Sequence, residues 1–204
     1  NTQPFFCKYS LTIFRNDVTM RSIMEIRDRS QLLTEQRNPD TITIDCKTTL
    51  EIIDIINAED ANVITAVHRE REPIAKAADM IVAAFKEGGR LIYVGAGTSG
   101  RLGILDAAEC PPTYGTDPKM IIGIIAGGKN AVFQSAEGAE DFPENGAKDI
   151  QQAEVNHRDV VMGITSGGTT PYVMGALFEA KKRNAKTIFL CCNRETMPIF
   201  DVDI

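Results

Sequence analysis

Hydrophobic residues recur at helical spacing between residues 49 and 89, where polar residues fill the intervening positions. A repeat of three to four residues predicts amphipathic helix, and the apolar positions that show it are Leu50, Ile53, Ile56, Val63, Val67, Ile74, Ala78, Ile81 and Phe85. Pro73 fits a kink or a new helix start, and Gly88-Gly89 fits a helix end. Residues 32 to 49 are polar and rich in turn-forming residues. We therefore expect an N-terminal helical arm.

After residue 90 the pattern changes to short apolar runs that alternate with helical stretches. Strands that are apolar on both faces and separated by helices predict a parallel sheet covered on both sides. The predicted strands are residues 90–95, 119–128, 159–168 and 185–193, with the start of a fifth at 198–204. Helices are predicted after Ser99 (ending at Pro111 and Pro112), after Asn130, and over 145–155 and 170–184. The sequence therefore predicts an α/β fold with three layers.

Composition narrows the classes of function. The chain of 204 residues is 43% hydrophobic and 25% charged, which is typical of a soluble globular protein. Its net charge of −6 without a long basic run argues against nucleic acid or an anionic membrane as partners. Five cysteines without CxxC spacing predict reduced thiols in a cytoplasmic protein. His68 and His157 are isolated, so no metal site is expected.

A glycine-rich motif follows the first predicted strand. Gly95, Gly97 and Gly100 have the spacing of the dinucleotide-binding fingerprint. A dinucleotide site also needs an acidic residue roughly 20 positions later, at the end of the second strand. That strand ends in Ala-Gly-Gly-Lys-Asn, and Asp117 precedes it. The missing acid argues against NAD, and no organic cofactor is expected.

Two hydroxyl-rich turns remain as candidates for binding a smaller anion. The first turn covers residues 97–100, after the first predicted strand, and the second covers residues 166–170, after the third. Free N–H groups and the dipole of a helix N-terminus favour an anion. One alternative is that the serines and threonines only cap helices. Because two such turns follow neighbouring strands, we favour a sugar phosphate as ligand. The predicted substrate-binding residues are Gly97, Thr98, Ser99, Gly100, Ser166, Gly167, Thr169 and Thr170.

Several blocks, in order and spacing, resemble the N-acetylmuramic acid 6-phosphate etherases. They are "LLTEQRNPDT", "GGRLIYVGAGTSGRLGILDAAECPPTYGT", "IIAGG", "EGAED" and "TPYVMGAL". The glucokinase regulatory proteins, which bind sugar phosphates without catalysis, are also similar and share the sugar isomerase (SIS) fold. The resemblance implies a SIS domain over residues 32–204, preceded by a poorly defined extension over 1–31. It also implies that the chain is C-terminally truncated relative to the family.

The resemblance implies an enzyme that cleaves the lactyl ether of N-acetylmuramic acid 6-phosphate. The products are N-acetylglucosamine 6-phosphate and D-lactate, in cytoplasmic recycling of cell-wall sugar by a homodimer that needs no metal or cofactor. Glu109 matches the family's general acid and Glu140 its candidate base, with Asp106 and Glu137 as nearby alternatives. A non-catalytic sugar-phosphate sensor and an aldose–ketose isomerase are the alternative functions.

The position of Glu109 on its helix and the residue at position 169 both bear on these roles. Glu109 is expected at the C-terminal end of its helix, where the dipole disfavours a carboxylate and so favours the acid role. Glu109 also lies ten residues after Ser99, about 15 Å along a helix. Either the helix breaks near Gly103, or Glu109 serves a neighbouring subunit. Finally, Thr169 replaces the arginine usual in the etherases, a loss that Arg101 could offset.

Overall fold

The structure is a computed structural model that describes residues 30, 32–193, 196, 198 and 200–204. The predicted extension over residues 1–31 lies, except for Ser30, outside the described residues.

The predicted helical arm consists of short 3-10 turns followed by two helices. The turns are Leu33–Glu35, Pro39–Thr41 and Ile44–Cys46, and the helices are α1, Thr49–Arg69, and α2, Arg71–Lys86. The Thr48 side chain accepts from the Glu51 backbone N–H while the Glu51 carboxylate accepts from the Thr48 backbone N–H. This capping box fixes the start of α1. Pro73 lies in the first turn of α2, so of the two expectations the new helix start is confirmed.

Four parallel strands form the sheet. They are β1, Leu91–Gly95; β2, Ile121–Ile125; β3, Val160–Ile164; and β4, Lys186–Leu190. Their order in the sheet is β2-β1-β3-β4, and β1 pairs in parallel with both β2 and β3. Each strand falls within a predicted apolar run, because strands buried on both faces need apolar residues at consecutive positions.

Helices cover both faces of the sheet, which confirms the three-layer α/β fold. The remaining helices are α3, Gly97–Tyr114; α4, Pro143–Gln152; and α5, Pro171–Lys182. On one face, Leu91 and Val160 pack with Ala84 of α2, and α3 passes close to Tyr93 at Gly103. On the other face, Ile92 and Val94 pack with residues of α4 and α5. Alternate residues of β1 therefore face opposite helix layers.

Two predicted helix bounds are wrong. Pro111 and Pro112 lie inside α3, which ends only at Tyr114, and Gly115 closes it with a φ of 68° and an N–H bond to the Pro111 carbonyl. A glycine in the left-handed region is a common helix end. The helix expected after Asn130 is a single 3-10 turn, Lys129–Val132.

The last residues of the chain pair with β4. Phe189 N–H donates to the Ile204 carbonyl (2.8 Å), and Ile204 N–H donates to the Thr187 carbonyl (3.2 Å). These bonds place Ile204 beside β4, but none of the described residues in 198–204 belongs to a strand, so the strand start predicted there is not formed among them. Among the described residues, no helix is both long and apolar enough to cross a bilayer.

Candidate functional site

Both predicted anion-binding turns lie at the carboxyl edge of the sheet. The chain runs from β1 outwards to β2 and then returns to place β3 on the other side of β1. The crevice between β1 and β3 is therefore the topological switch point, where open α/β sheets bind ligands. The helix α3 begins on one side of it and α5 on the other.

The first turn of α3 carries no side-chain cap. Ala96 is the N-cap residue, and the first helical bond is from Gly100 N–H to the Ala96 carbonyl (3.2 Å). The N–H groups of Gly97, Thr98 and Ser99 consequently have no intrahelical acceptor. Thr98 is exposed and Ser99 half-buried, so both hydroxyls are available at this helix end. The arrangement suits an anion.

Close contact between β1 and α3 explains two of the three motif glycines. A Cβ on Gly100 would lie 2.6 Å from Ile125 Cγ1 and 2.8 Å from the Gly95 carbonyl oxygen. A Cβ on Gly95 would meet Gly100 N at 2.6 Å. The helix N-terminus is thus held against the end of the strand, where its dipole faces the crevice.

The second turn joins β3 to α5 and also lacks a side-chain cap. Thr170 is the N-cap residue of α5, but its hydroxyl does not cap the helix; it lies 2.8 Å from Thr165 Oγ1 instead. Thr165 Oγ1 also accepts from Gly168 N–H (3.3 Å). The alternative that these residues only cap helices is therefore wrong for both α3 and α5. Ser166 is exposed and Thr169 half-buried.

The arm reaches the second turn, a contact that the sequence analysis missed. A Cβ on Gly167 would lie 3.3 Å from both Leu32 Cδ1 and Thr34 Oγ1. Thr34 therefore adds a hydroxyl beside Ser166 and Thr169. The only sequence clue was the polar, turn-rich character of the arm.

A cavity of about 420 Å³ opens beside the first turn. It lies between the start of α3 and the segment after β2, and no residue of the second turn lines it. Three acidic residues, Glu137, Glu140 and Asp141, share its wall with Gly97 and one arginine, Arg101. Glu137 accepts a hydrogen bond from Ser135 Oγ (2.6 Å). The cavity thus combines carboxylates with a helix N-terminus.

The guanidinium of Arg101 links α3 to the segment after β2. Its Nε donates to the Val132 carbonyl (2.9 Å) and its Nη2 to the Ala131 carbonyl (2.8 Å), with a longer bond to the Gln134 carbonyl (3.4 Å). From the sequence, Arg101 was expected only as a substitute for the arginine that Thr169 replaces.

The two candidate catalytic glutamates are not brought together within one chain. Glu140 lies in the 3-10 turn Ala139–Asp141 and lines the cavity. Glu109 is exposed on α3 and is not among the cavity residues. Since α3 continues through Gly103, the expected early break is wrong, and Glu109 lies about 15 Å along the helix from Ser99.

The helix-dipole argument for Glu109 is also wrong. The helix ends at Tyr114, more than one turn beyond Glu109, and the dipole effect fades within the last turn. One turn earlier, Asp106 accepts a hydrogen bond from Tyr93 Oη (2.8 Å). Burial and this carboxylate both raise the pKa of the Tyr93 phenol, so it stays a neutral donor.

The described residues show no group of three or more His, Cys, Asp or Glu side chains that could hold a metal ion. Cys110, next to Glu109, is buried, and this burial raises the pKa of its thiol. A neutral buried thiol is a poor metal ligand and a poor nucleophile.

Comparison with known proteins identifies the family. The model described as the glucokinase regulatory protein N-terminal SIS domain matches residues 73–181, more than half of the chain. The chain belongs to this SIS-domain family. The solved structure of phosphoheptose isomerase from Neisseria gonorrhoeae has the same SIS-type fold, with a TM-score of 0.56, 21% identity, and coverage of 71% of this chain and 75% of that one.

Within the SIS-domain family, the resemblance to the N-acetylmuramic acid 6-phosphate etherases is confirmed. The chain is 52% identical over 181 residues to the etherase of Crocosphaera subtropica, which covers 88% of this chain and 59% of that protein. It is 53% identical over 173 residues to etherase 2 of Vibrio cholerae, covering 85% and 56%. The chain therefore spans less than two thirds of the length of these relatives.

Proposed function

We propose that this SIS domain belongs to a carbon–oxygen lyase that cleaves the D-lactyl ether of N-acetylmuramic acid 6-phosphate. The observation that carries the proposal is the cavity that both Glu140 and the uncapped start of α3 line. Identity above 50% to proteins named for this reaction supports it. The products are N-acetylglucosamine 6-phosphate and D-lactate, in recycling of cell-wall sugar.

The reaction needs an anion site, a base and an acid. The N–H groups of Gly97, Thr98 and Ser99, with the hydroxyls of the second turn, bind the phosphate. In the open-chain sugar the aldehyde at C1 acidifies the C2 proton, which Glu140 removes as general base. Lactate then leaves from C3 with a proton supplied by Glu109. Water adds across the resulting double bond and restores the saturated product.

Glu109 fulfils this role only in a dimer. Because it lies about 15 Å from Ser99 along an unbroken helix, we propose that it completes the site of a second copy. Exposed apolar residues on α1 and α3 supply a surface for such contact: Leu50, Ile53, Ile56, Val63, Ile64, Val67, Leu102 and Leu105. The helix α1 has no buried residue of its own. Exposed apolar helix faces of this kind are typical of an interface.

The activity is tested by incubating the purified protein with N-acetylmuramic acid 6-phosphate and measuring D-lactate. Variants E140Q and E109Q are followed by C2 hydrogen exchange in heavy water. We expect E140Q to lose both exchange and lactate release, and E109Q to retain exchange while losing lactate release. The matched control is E144Q, an exposed change on α4. Sugar-phosphate binding without lactate release by the unchanged protein would contradict the proposal.

The shared site is tested by mixing two inactive variants. If each site takes Glu140 from one protomer and Glu109 from the other, an E109Q/E140Q mixed dimer has one intact site. Random exchange of a twofold dimer then restores about a quarter of full activity. Mixing E140Q with the double variant is the control and restores none. No recovery in the first mixture, although exchange is verified, would exclude a shared site.

The second candidate is a non-catalytic sugar-phosphate sensor. The description of the matching family model favours it, because it is named after a regulatory protein. A sensor needs the anion-binding turns but neither glutamate. Tight binding of N-acetylglucosamine 6-phosphate that is unchanged in E140Q, together with no lactate release, would identify this function.

The remaining proposals concern organisation and location. We propose that residues 32–204 act as the sugar-phosphate-binding domain and that the protein works in the cytoplasm. Cys46, Cys110, Cys191 and Cys192 are all unpaired thiols, which suits a reducing compartment.

A further inference from the structure

Arg101 joins the two parts of the candidate site. It lies in the first turns of α3, directly after the anion-binding residues Thr98 to Gly100. Its three hydrogen bonds end on carbonyl oxygens of residues 131, 132 and 134. That segment leads within a few residues to Glu140. One side chain therefore connects the phosphate end of the site to the backbone that carries the base.

Packing also holds this segment at both ends, since Ala131 is buried and Ala139 packs against the main core. Its only regular structure between β2 and Ala139 is the 3-10 turn Lys129–Val132. Small side chains support it: a Cβ on Gly127 would lie 2.7 Å from Ala136 Cβ and 3.2 Å from Ala131 Cβ. Alanines bury little apolar surface, and Phe133 is 89% exposed. Hydrogen bonds from a charged donor are stronger than neutral ones, so Arg101 adds a strong tie between α3 and residues 131–134.

The charge of Arg101 also matters for the cavity. Among the described residues that line the cavity, it is the one basic residue, against Glu137, Glu140 and Asp141. Its hydrogen-bond partners in the described part of the chain are carbonyl oxygens rather than carboxylates. The guanidinium therefore offsets negative charge where an anionic sugar must enter.

We propose that Arg101 is a positioning residue that holds Glu140 at the distance from the bound sugar phosphate that removal of the C2 proton requires. The inference rests on the proposed function. It assigns to Arg101 an effect on turnover that acts through Glu140 and not through phosphate contact. A planar fork is needed, because two of its nitrogens bind carbonyls at the same time.

The first test compares R101K and R101M with R183K. Arg183 also forms a fork, to Glu179 Oε1 and the Val155 carbonyl, but it does not line the cavity. Misplacing a catalytic group by about 1 Å costs about 100-fold in rate. We expect R101M to lower kcat for both C2 exchange and lactate release by about that factor, with KM changed less than about threefold. R101K should be intermediate, and R183K close to the unchanged protein.

A second measurement does not depend on activity. Deuterium uptake by peptides covering residues 129–141 should rise at least about tenfold in rate in R101M and stay unchanged in R183K, because the opening free energy of the segment falls. Unchanged uptake in R101M would overturn the proposal. So would a rise in KM with unchanged kcat, which would make Arg101 a phosphate contact.

The two proposals fail in different ways. If the unchanged protein shows neither C2 exchange nor lactate release, the proposed function is wrong whatever the Arg101 variants do. If the unchanged protein is active and R101M turns over at the rate of R183K, only the positioning role is wrong.

Discussion

The two edges of the sheet use polar residues in opposite ways. At the amino edge, Asp159 is buried and accepts from Arg90 Nη2 (2.7 Å), Arg90 N–H (2.9 Å) and Asn156 N–H (3.0 Å). At the carboxyl edge, α3 and α5 begin without side-chain caps. The polar groups of the amino edge bond to one another and so stabilise the fold. At the carboxyl edge, the N–H groups of the helix starts have no side-chain acceptor and are candidates for binding a ligand. This contrast supports the candidate site more directly than the glycine motif does.

Substitution of Asp159 should have the largest effect on stability. Burial opposes its ionisation, but hydrogen bonds from Arg90 and Asn156 outweigh burial and lower its pKa. D159N leaves Arg90 without its carboxylate, and breaking such a pair costs about 3–5 kcal/mol. Urea unfolding should show that loss, whereas D79N on the exposed side of α2 should change little. A loss for D159N no larger than that for D79N would mean that the amino edge is not held by this network.

The close contact of α3 with β1 should be the next most sensitive feature. G100A adds a methyl group that meets Ile125 Cγ1 and the Gly95 carbonyl. Overpacking of this kind costs about 1–3 kcal/mol, and it should also move the helix N-terminus and weaken sugar-phosphate binding. G115A is the control. A Cβ at this position would meet nothing within 4 Å, but the backbone of Gly115 has a φ of 68°, which strains any residue other than glycine. G115A should lose about 1–2 kcal/mol of stability and keep binding, as measured by urea unfolding and calorimetry.

A capped and an uncapped helix start allow a direct comparison. T48A removes the capping box of α1 and should cost about 1 kcal/mol in unfolding free energy. S99A removes a hydroxyl that caps nothing, so the same measurement should change by less than about 0.5 kcal/mol. Binding of N-acetylglucosamine 6-phosphate, in contrast, should weaken about tenfold in S99A, from loss of one hydrogen bond to a charged group. Equal binding by S99A and the unchanged protein would argue against an anion at this turn.

The smallest predicted effect is on the unfolding free energy at low pH. Burial opposes ionisation of Asp203, but hydrogen bonds from Thr187, Lys186 and Lys181 lower its pKa to about 2. Because the folded value is depressed, its stabilisation is present above pH 4 and is lost as pH falls towards 2. The unfolding free energy of D203N should therefore fall less steeply over this range. The difference should stay below about 1 kcal/mol, because the paired lysines are partly exposed. Parallel pH profiles would contradict this assignment.

The sheet was predictable because its strands are short and, apart from Lys186 and Thr187 at the start of β4, largely apolar. Val160 is buried on one face of the sheet and Ile92 on the other. A strand covered on both faces tolerates few polar residues. The helix start after Gly95 was equally clear, since close packing of Gly95 and Gly100 requires glycine whatever the ligand.

Tertiary contacts decided what the sequence analysis missed. Pro111 and Pro112 favour a helix end locally, yet α3 continues past them, and Gly115 was the better clue to its end. The role of Arg101 depends on carbonyls 30 or more residues away, and no local pattern reports such contacts. The separation of Glu109 from the cavity likewise depends on a helix that continues through Gly103, where a break was one of two expectations.

The strand order has a consequence for synthesis on the ribosome. The central strand β1 pairs through Leu91 with Ile121 on one side and with Val160 on the other. Its second neighbour is therefore translated long after β1 itself. Until then, one side of an apolar strand has no hydrogen-bonding neighbour, and pairing across such a long sequence separation is slow. The nascent chain should thus depend on chaperone protection until β3 has emerged, and heat or fast translation should reduce yield before they affect the finished protein.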